Sequence, residues 1–487
     1  MKLRLSLVAM LLLSLAQVRQ SLGQSPGPPP VVGGPISAPT AMLPTSNGPS
    51  PVTAASAFSI GGTEWQPAVS VAVSPASFLT RCSDPNCTDP NCTDAGGLAD
   101  CTDPGCTALG CDGQCGKLSA LDRFNQRFPV CGTWGSIDFM HVWAKGRRLP
   151  PLVSTSPSTS LLADAGVLSR GGTTLFGNSR IGQGRQSAGR LDLGVWFDNC
   201  ESNGVGFRLF AIEGDRSGFY AASDGTGVPI LATPYFDINS GQDEAIVAAF
   251  PGIFAGSINA RAENDMLSAE AYARFLMVRS GLDRVDFISG YHYAQVSDSV
   301  GLTSSTTVIG AGSGFPLGTV NILNDVFDVR NDFHGGLLGF TGEFHRGCWT
   351  VRTLAKVSVG GMRHRVTING SSVTTVPPPP AGGTTSTFPG GIFAQQSNIG
   401  TRTERQFTYI PELNLTLGYK MNTHVELTCG YNFIYFPHMA FAGDQIDTTL
   451  DLTQANGGPV GVRPLLTGIT DTDFWLQGIS LGVNWTY

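Results

Sequence analysis

The stretch 471–487 constrains the fold more than any other. Ile479, Leu481, Val483, Trp485 and Tyr487 are apolar or aromatic, while Gly478, Ser480, Gly482, Asn484 and Thr486 between them are small or polar. Strict alternation gives a strand one greasy face and one wettable face. Ending an exported chain on an aromatic, it predicts the closing strand of an outer-membrane β-barrel, with lipid outside and lumen inside. The same residues are the signal expected to meet the barrel-assembly machinery.

Export is written at the other end. Lys2 and Arg4 precede a mostly apolar run to Ala16, and a cleavage site falls near 21–23. This is the pattern of a secretory signal peptide, residues 1–23, too short to stay as a membrane span. No cysteine follows the run, so a lipoprotein anchor is not expected. No other uninterrupted apolar stretch is long enough for a transmembrane helix, so a membrane crossing requires a closed barrel with no open edges in hydrocarbon. Charged residues make up only 14% of the chain, against about 25% in soluble domains, which suits a lipid-facing protein. The net charge of −7 comes without any basic stripe and excludes a nucleic-acid partner.

Residues 24–80, rich in Pro, Gly, Ser and Thr and including Pro28, Pro29 and Pro30, bury too little apolar surface to fold and are expected to be a disordered linker. In segment 81–131, Cys82, Cys87 and Cys92 recur as Cys101, Cys106 and Cys111, with Asp84-Pro85 repeated as Asp103-Pro104; Cys115 and Cys131 follow. In an exported chain eight such cysteines are candidates for disulfides, with connectivity open. A metal site using the thiolates or Asp84, Asp89, Asp94 and Asp103 is the competing view. The spacing fits neither a zinc ribbon nor an EF-hand.

From residue 132 the texture is strand, tight turn, strand. Ile137, Phe139, His141 and Trp143 share a face; Leu191, Leu193, Val195 and Phe197 oppose Arg190, Asp192, Gly194 and Trp196. Leu267, Ala269, Ala271, Ala273 and Phe275 oppose Ser268, Glu270, Tyr272 and Arg274. Tight turns are expected at Ser280-Gly281, Arg346-Gly347 and 421–423. They alternate with long connections at 146–186, 214–250, 301–327, 366–402 and 440–470. Short turns facing the periplasm and long external loops are the rhythm of an outer-membrane barrel. Strands longer than the usual five or six residues, and aromatics at strand ends (Trp143, Tyr291, Tyr293, Tyr431, Tyr435, Trp475), separate it from a soluble sandwich. The fold class predicted is all-β, an antiparallel transmembrane β-barrel of about ten to twelve strands.

Several motifs resemble a known family in order along the chain. They are Gly146-Arg-Arg-Leu-Pro-Pro-Leu-Val-Ser-Thr-Ser-Pro157, Ala165-Gly-Val-Leu168 with Thr174-Leu-Phe-Gly177, Asp332-Phe-His-Gly-Gly336, Gln396-Ser-Asn-Ile-Gly400, Gly443-Asp-Gln-Ile-Asp447 and Asp471-Thr-Asp-Phe-Trp475. They are similar to the putative beta barrel porin-7 family of planctomycete outer-membrane proteins, over about 132–487. The resemblance implies an outer-membrane barrel and no particular solute. The cysteine repeat lies outside that pattern.

None of the seven histidines, at 141, 292, 334, 345, 364, 424 and 438, sits in a motif with a mechanism, so no catalytic residue, metal or cofactor is expected. The candidate lumen-lining residues carry both signs: Arg190, Asp192, Arg208, Glu270, Arg274, Asp286, Arg352, Lys356, Glu412 and Glu426. A selective pore favours one dominant sign or segregated rows, whereas mixed charges can pair across a narrow barrel and fill it. The function expected is porin-like passage of small polar solutes, the alternative a closed barrel with a structural or surface-interaction role. Either the Pro150-Pro151 loop or the Pro377–Pro380 loop is expected to enter the lumen. Outer-membrane lipid is the expected surrounding, and the cysteine repeat offers a surface for an envelope partner.

Overall fold

A computed structural model describes residues 130–226, 229–378, 383–458 and 468–487. The signal peptide, the linker and the cysteine repeat up to Cys115 lie outside the described residues. Ten strands carry the architecture: β1 (Gly132–Ala144), β2 (Gln186–Trp196), β3 (Asn203–Ile212), β4 (Phe254–Ser280), β5 (Asp283–Val308), β6 (Val320–Arg346), β7 (Trp349–Val376), β8 (Gly400–Lys420), β9 (Val425–Ala440) and β10 (Asp471–Thr486). Each pairs antiparallel with the next in sequence. β10 also pairs antiparallel with β1, Val483 opposite Ile137 and Leu481 opposite Phe139. The result is a large antiparallel sheet of outer-membrane barrel type.

Outward positions on these strands form an exposed apolar belt. It includes Phe139, Leu193, Phe207, Phe275, Leu338, Phe340, Leu413, Leu415, Leu427, Ile479 and Leu481, each at least 40% exposed. An apolar surface this continuous is not left facing water; facing hydrocarbon, it is the outer half of the alternation. The tight turns fall where glycine permits them. Gly281 and Gly347 have φ of +62° in two-residue connections between β4 and β5 and between β6 and β7. Glycine at the first central position is the pattern of a type II′ hairpin turn.

Two expectations change. Stretches 301–327 and 366–402 are only partly loops, because β4, β5, β6 and β7 run 27, 26, 27 and 28 residues. Threonine and serine runs such as 303–307 read as connection by composition. They pair instead with 320–324, where the β-branched threonines suit a strand. The expectation of a disulfide-rich chain is also corrected. No disulfide joins two of the described cysteines. Cys131, the described member of the eight candidates, has its thiol Sγ 3.6 Å from the Phe197 carbonyl it donates to. Cys429 is an exposed free thiol.

The connection 146–186 turns inward. Leu149, Leu152 and Val153 are at most 1% exposed and pack with Phe327, Val329, Val366 and Ile368 on the inner face of the long strands. The buried Arg147 guanidinium pairs with Asp298 of β5, and the other Asp298 oxygen accepts from the Ala442 N–H at 2.7 Å. One carboxylate thus ties two connections to the sheet wall. Of the two proline loops considered, Pro150-Pro151 sits in the segment that packs inside.

Candidate functional site

The inner face of the sheet is stacked in layers. Nearest the short turns is an ionic layer. Arg190 pairs with Asp138 at 3.0 Å and donates to the Asn432 side chain at 2.7 Å. Arg208 pairs with Asp192 at 2.8 Å, and the Tyr272 hydroxyl donates to the same carboxylate at 2.6 Å. The Lys356 ammonium bridges Glu270 and Glu412, 2.8 Å from the latter. Arg274 joins Asp286 at 2.5 Å and Glu343 at 2.8 Å, Arg284 shares Asp286 at 2.9 Å, and Arg352 pairs with Glu426. Alternation puts every one of these side chains on the face opposite the belt.

Aromatic rings pack into the same layer. Arg274 lies 5.0 Å and Arg284 4.6 Å from the Trp196 ring centroid, and Trp134 packs 4.3 Å from Trp196. Guanidinium groups over indole faces gain a cation–π attraction that a desolvated site strengthens. Gly194 makes this possible, because a Cβ there would collide with the Trp134 ring. His292 is held between the Ser268 and Ser358 hydroxyls at 2.9 and 2.8 Å.

All ten candidate lumen residues thus lie on one face, each with an opposite charge as partner. They form three ion-paired groups: Arg190 with Asp138; Asp192, Arg208, Glu270, Lys356 and Glu412; and Arg274, Asp286, Arg352 and Glu426 with Arg284 and Glu343. Of these, Asp138, Arg284 and Glu343 were passed over by the sequence argument. Their signal was available: Asp138 keeps step with Ser136 and Met140, and Glu343 with Thr341. The layer leaves a cavity of about 150 Å³ between Trp134, Asp138, Arg190, Arg208 and Arg274. A vestibule of about 330 Å³ at the short-turn end touches Glu201, Arg284, Arg352 and Glu426.

The next layer is apolar and was not foreseen. Met140, Val142, Ala188, Phe210, Met266, Val296, Phe333, Met362, Ile410, Phe436, Met439 and Phe474 form one buried cluster, to which each of the ten strands contributes. Phe333 and Met439 have no exposed surface. Beyond it lies the chamber filled by the connections. There the Asp325 carboxylate, itself 1% exposed, accepts from the backbone N–H groups of Ile392, Phe393 and Ala394 at 3.0–3.2 Å. Burial pushes its carboxyl up to about 6, against the lowering effect of those three donors.

Of the C-terminal signal residues, Ile479, Leu481 and Tyr487 are strongly exposed on the belt face. His334 is on that face too, 2.5 Å from the Tyr291 hydroxyl. Among the described residues no group of three or more His, Cys, Asp or Glu could hold a metal ion.

An apolar-belted antiparallel sheet with short turns at one end defines an outer-membrane protein of the barrel and channel type. The chain belongs to the family described as Putative beta barrel porin-7, whose model matches residues 134–487. That family is one of porins rather than enzymes, and the protein is located in the outer membrane. Among solved structures the chain is similar to the outer membrane protease OmpT from Escherichia coli, at 8% identity over 74% of this chain and 98% of that one, with a TM-score of 0.34. It is also similar to a FadL homologue from Pseudomonas aeruginosa, at 7% identity, 74% and 90% coverage and a TM-score of 0.22. The toluene transporter TodX of P. putida follows at 8% identity, 73% and 89% coverage and a TM-score of 0.18. No curated protein matches the chain.

Proposed function

We propose that this protein is a ten-stranded outer-membrane barrel with a closed lumen, acting in the envelope as a structural or surface-interaction protein rather than as a passive pore. The observation that carries the reading is the apolar layer. An ion crossing it would leave water for a packed hydrocarbon environment, and the cost of transferring a charge there is many kcal/mol. The ionic layer adds to the closure, because its charges neutralise one another instead of lining a path. The long strands and inward-packed connections then present a rigid surface at the far end, the part of such a scaffold that contacts partners.

In this reading residues 1–23 direct export, 24–80 link, and the cysteine repeat of 81–131 sits on the periplasmic side, where an envelope partner could meet it. The C-terminal strand engages the barrel-assembly machinery. The second reading is passive passage of small polar solutes, favoured by the family's description as porins; it requires the apolar layer to part.

Conductance in a planar bilayer decides between them. The heat-modifiable, refolded chain is expected to give no discrete steps, whereas a Phe333→Gly, Met362→Gly, Phe436→Gly variant opens a water path and gives them. Discrete steps from the unaltered chain would return the function to solute passage.

A further inference from the structure

On the outward face of β6, β7 and β8, directly beyond the apolar belt, arginines stand opposite one another. Arg330 is the register partner of Arg365, and Arg363 is the register partner of Arg405. Arg405 follows the exposed Phe407 and Tyr409 by alternation, and Arg363 and Arg365 follow Val359. Like charges directly opposite on neighbouring strands destabilise a sheet unless an opposite charge lies between them.

Beside Arg330 and Arg365 the chain supplies part of that charge, since Glu263, Asp265 and Asp328 line the same recess; beside Arg363 and Arg405 it supplies little. Arg330 donates to Asp332 at 2.8 Å, and Asp332 is the register partner of Arg363 but is already shared with the Tyr293 hydroxyl. Among the described residues no carboxylate comes within 4.0 Å of the guanidinium groups of Arg363, Arg365 or Arg405. The nearby Glu404 is turned to the Ile469 N–H. The Arg363 Nε is, in addition, buried without a hydrogen-bond partner, and leaving such a donor unpaired is costly.

We infer that Arg363, Arg365 and Arg405, with Arg330 beside them, hold the phosphate-bearing headgroup of an anionic lipid in the leaflet at the long-loop end. The location selects a lipid: the belt of Val359, Phe407 and Tyr409 takes its acyl chains, and the arginines stand one step above, at headgroup height. The chemistry selects phosphate, which guanidinium forks bind through two parallel hydrogen bonds. The inference rests on the reading of the chain as an outer-membrane barrel with its long loops outward.

The test uses the full-length chain in detergent, mixed with diphosphoryl lipid A, with its dephosphorylated counterpart, or with inorganic phosphate, and read by native mass spectrometry. Flotation with phosphatidylcholine vesicles runs alongside. The unaltered chain is expected to retain diphosphoryl lipid A. The Arg363→Gln, Arg365→Gln, Arg405→Gln variant lowers retention about a hundredfold, from three charges lost beside an anionic surface. Replacing the same three by Lys keeps the charge without the fork and gives an intermediate loss, which also serves if the Gln variant does not fold. Arg279→Gln with Arg346→Gln, at the short-turn end, leaves retention unchanged. Equal retention by the triple Gln variant or of the dephosphorylated lipid, or an equal loss in the short-turn control, overturns the inference. Displacement of the lipid by equimolar inorganic phosphate would show a free-phosphate site and overturn it too. A chain that does not float with vesicles would instead overturn the barrel reading, a result separable from floating without phosphate preference.

Discussion

At the scale of single residues, the interior is set by how charges are matched. The Lys356 side chain is 1% exposed and contacts two carboxylates, Glu270 and Glu412. Replacing it with Met leaves both buried acids short of a cation, with only Arg208 at 3.6 and 4.0 Å to share. Lys356→Met is expected to destabilise the folded chain by about 3–5 kcal/mol, the usual cost of orphaning a buried charge. Adding Glu270→Gln should restore part of it; urea unfolding in lipid vesicles reads both. Asp325 lies beyond the belt and behaves differently. Its folded carboxyl titrates near 6, above the value of about 4 in a free chain, so the native state holds the proton more tightly. That contribution to stability is fully present below about pH 4 and is lost as the pH rises through about 6. Exchange protection of the Ile392, Phe393 and Ala394 amides should therefore fall from pH 4 to pH 7, corrected for intrinsic rate, and Asp325→Asn should flatten the profile. Protection that climbs with pH would refute the assignment.

At the scale of elements, legibility followed periodicity. The hairpin at 280–283, the one at 346–349 and the closing strand could be read directly, because one face of each is apolar and the other is not. The ionic layer was legible for the same reason: a charge such as Arg274 between Ala273 and Phe275 can only face away from lipid. The apolar layer was hidden where both faces turn greasy at once. Met140, His141, Val142, Trp143 and Ala144 form a nearly continuous apolar run, and period two carries no information when inside and outside look alike. The upper halves of β5 and β7 were hidden by composition instead. Their Ser and Thr residues pair across strands, for example Ser304 with Leu323 and Thr374 with Asn321, and such pairing depends on a distant partner that local sequence does not reveal. Cys131 shows the same limit from the other side, since a spacing repeat cannot say which thiols are used.

At the scale of the whole molecule, the belt and the packed interior make a testable contrast between tryptophans. Trp349 is 50% exposed and packs edge-on to Tyr419 at 5.0 Å at the short-turn end of the belt, where indoles settle at a membrane interface. Trp196 is 3% exposed on the inner face. In single-tryptophan variants, phosphatidylcholine brominated near the headgroup should quench Trp349 and leave Trp196 bright; quenching of both would mean the sheet does not separate lipid from interior. The four long strands, finally, are neighbours. A strand of 27 residues at about 3.4 Å per residue is about 90 Å long. Tilted by about 40°, it would rise about 70 Å, against a belt of about 25 Å. One side of the molecule then stands as a mast about 45 Å tall over the bilayer, braced from within by the connections. Whatever meets its tip is met clear of the lipid headgroups, at a height the six shorter strands do not reach.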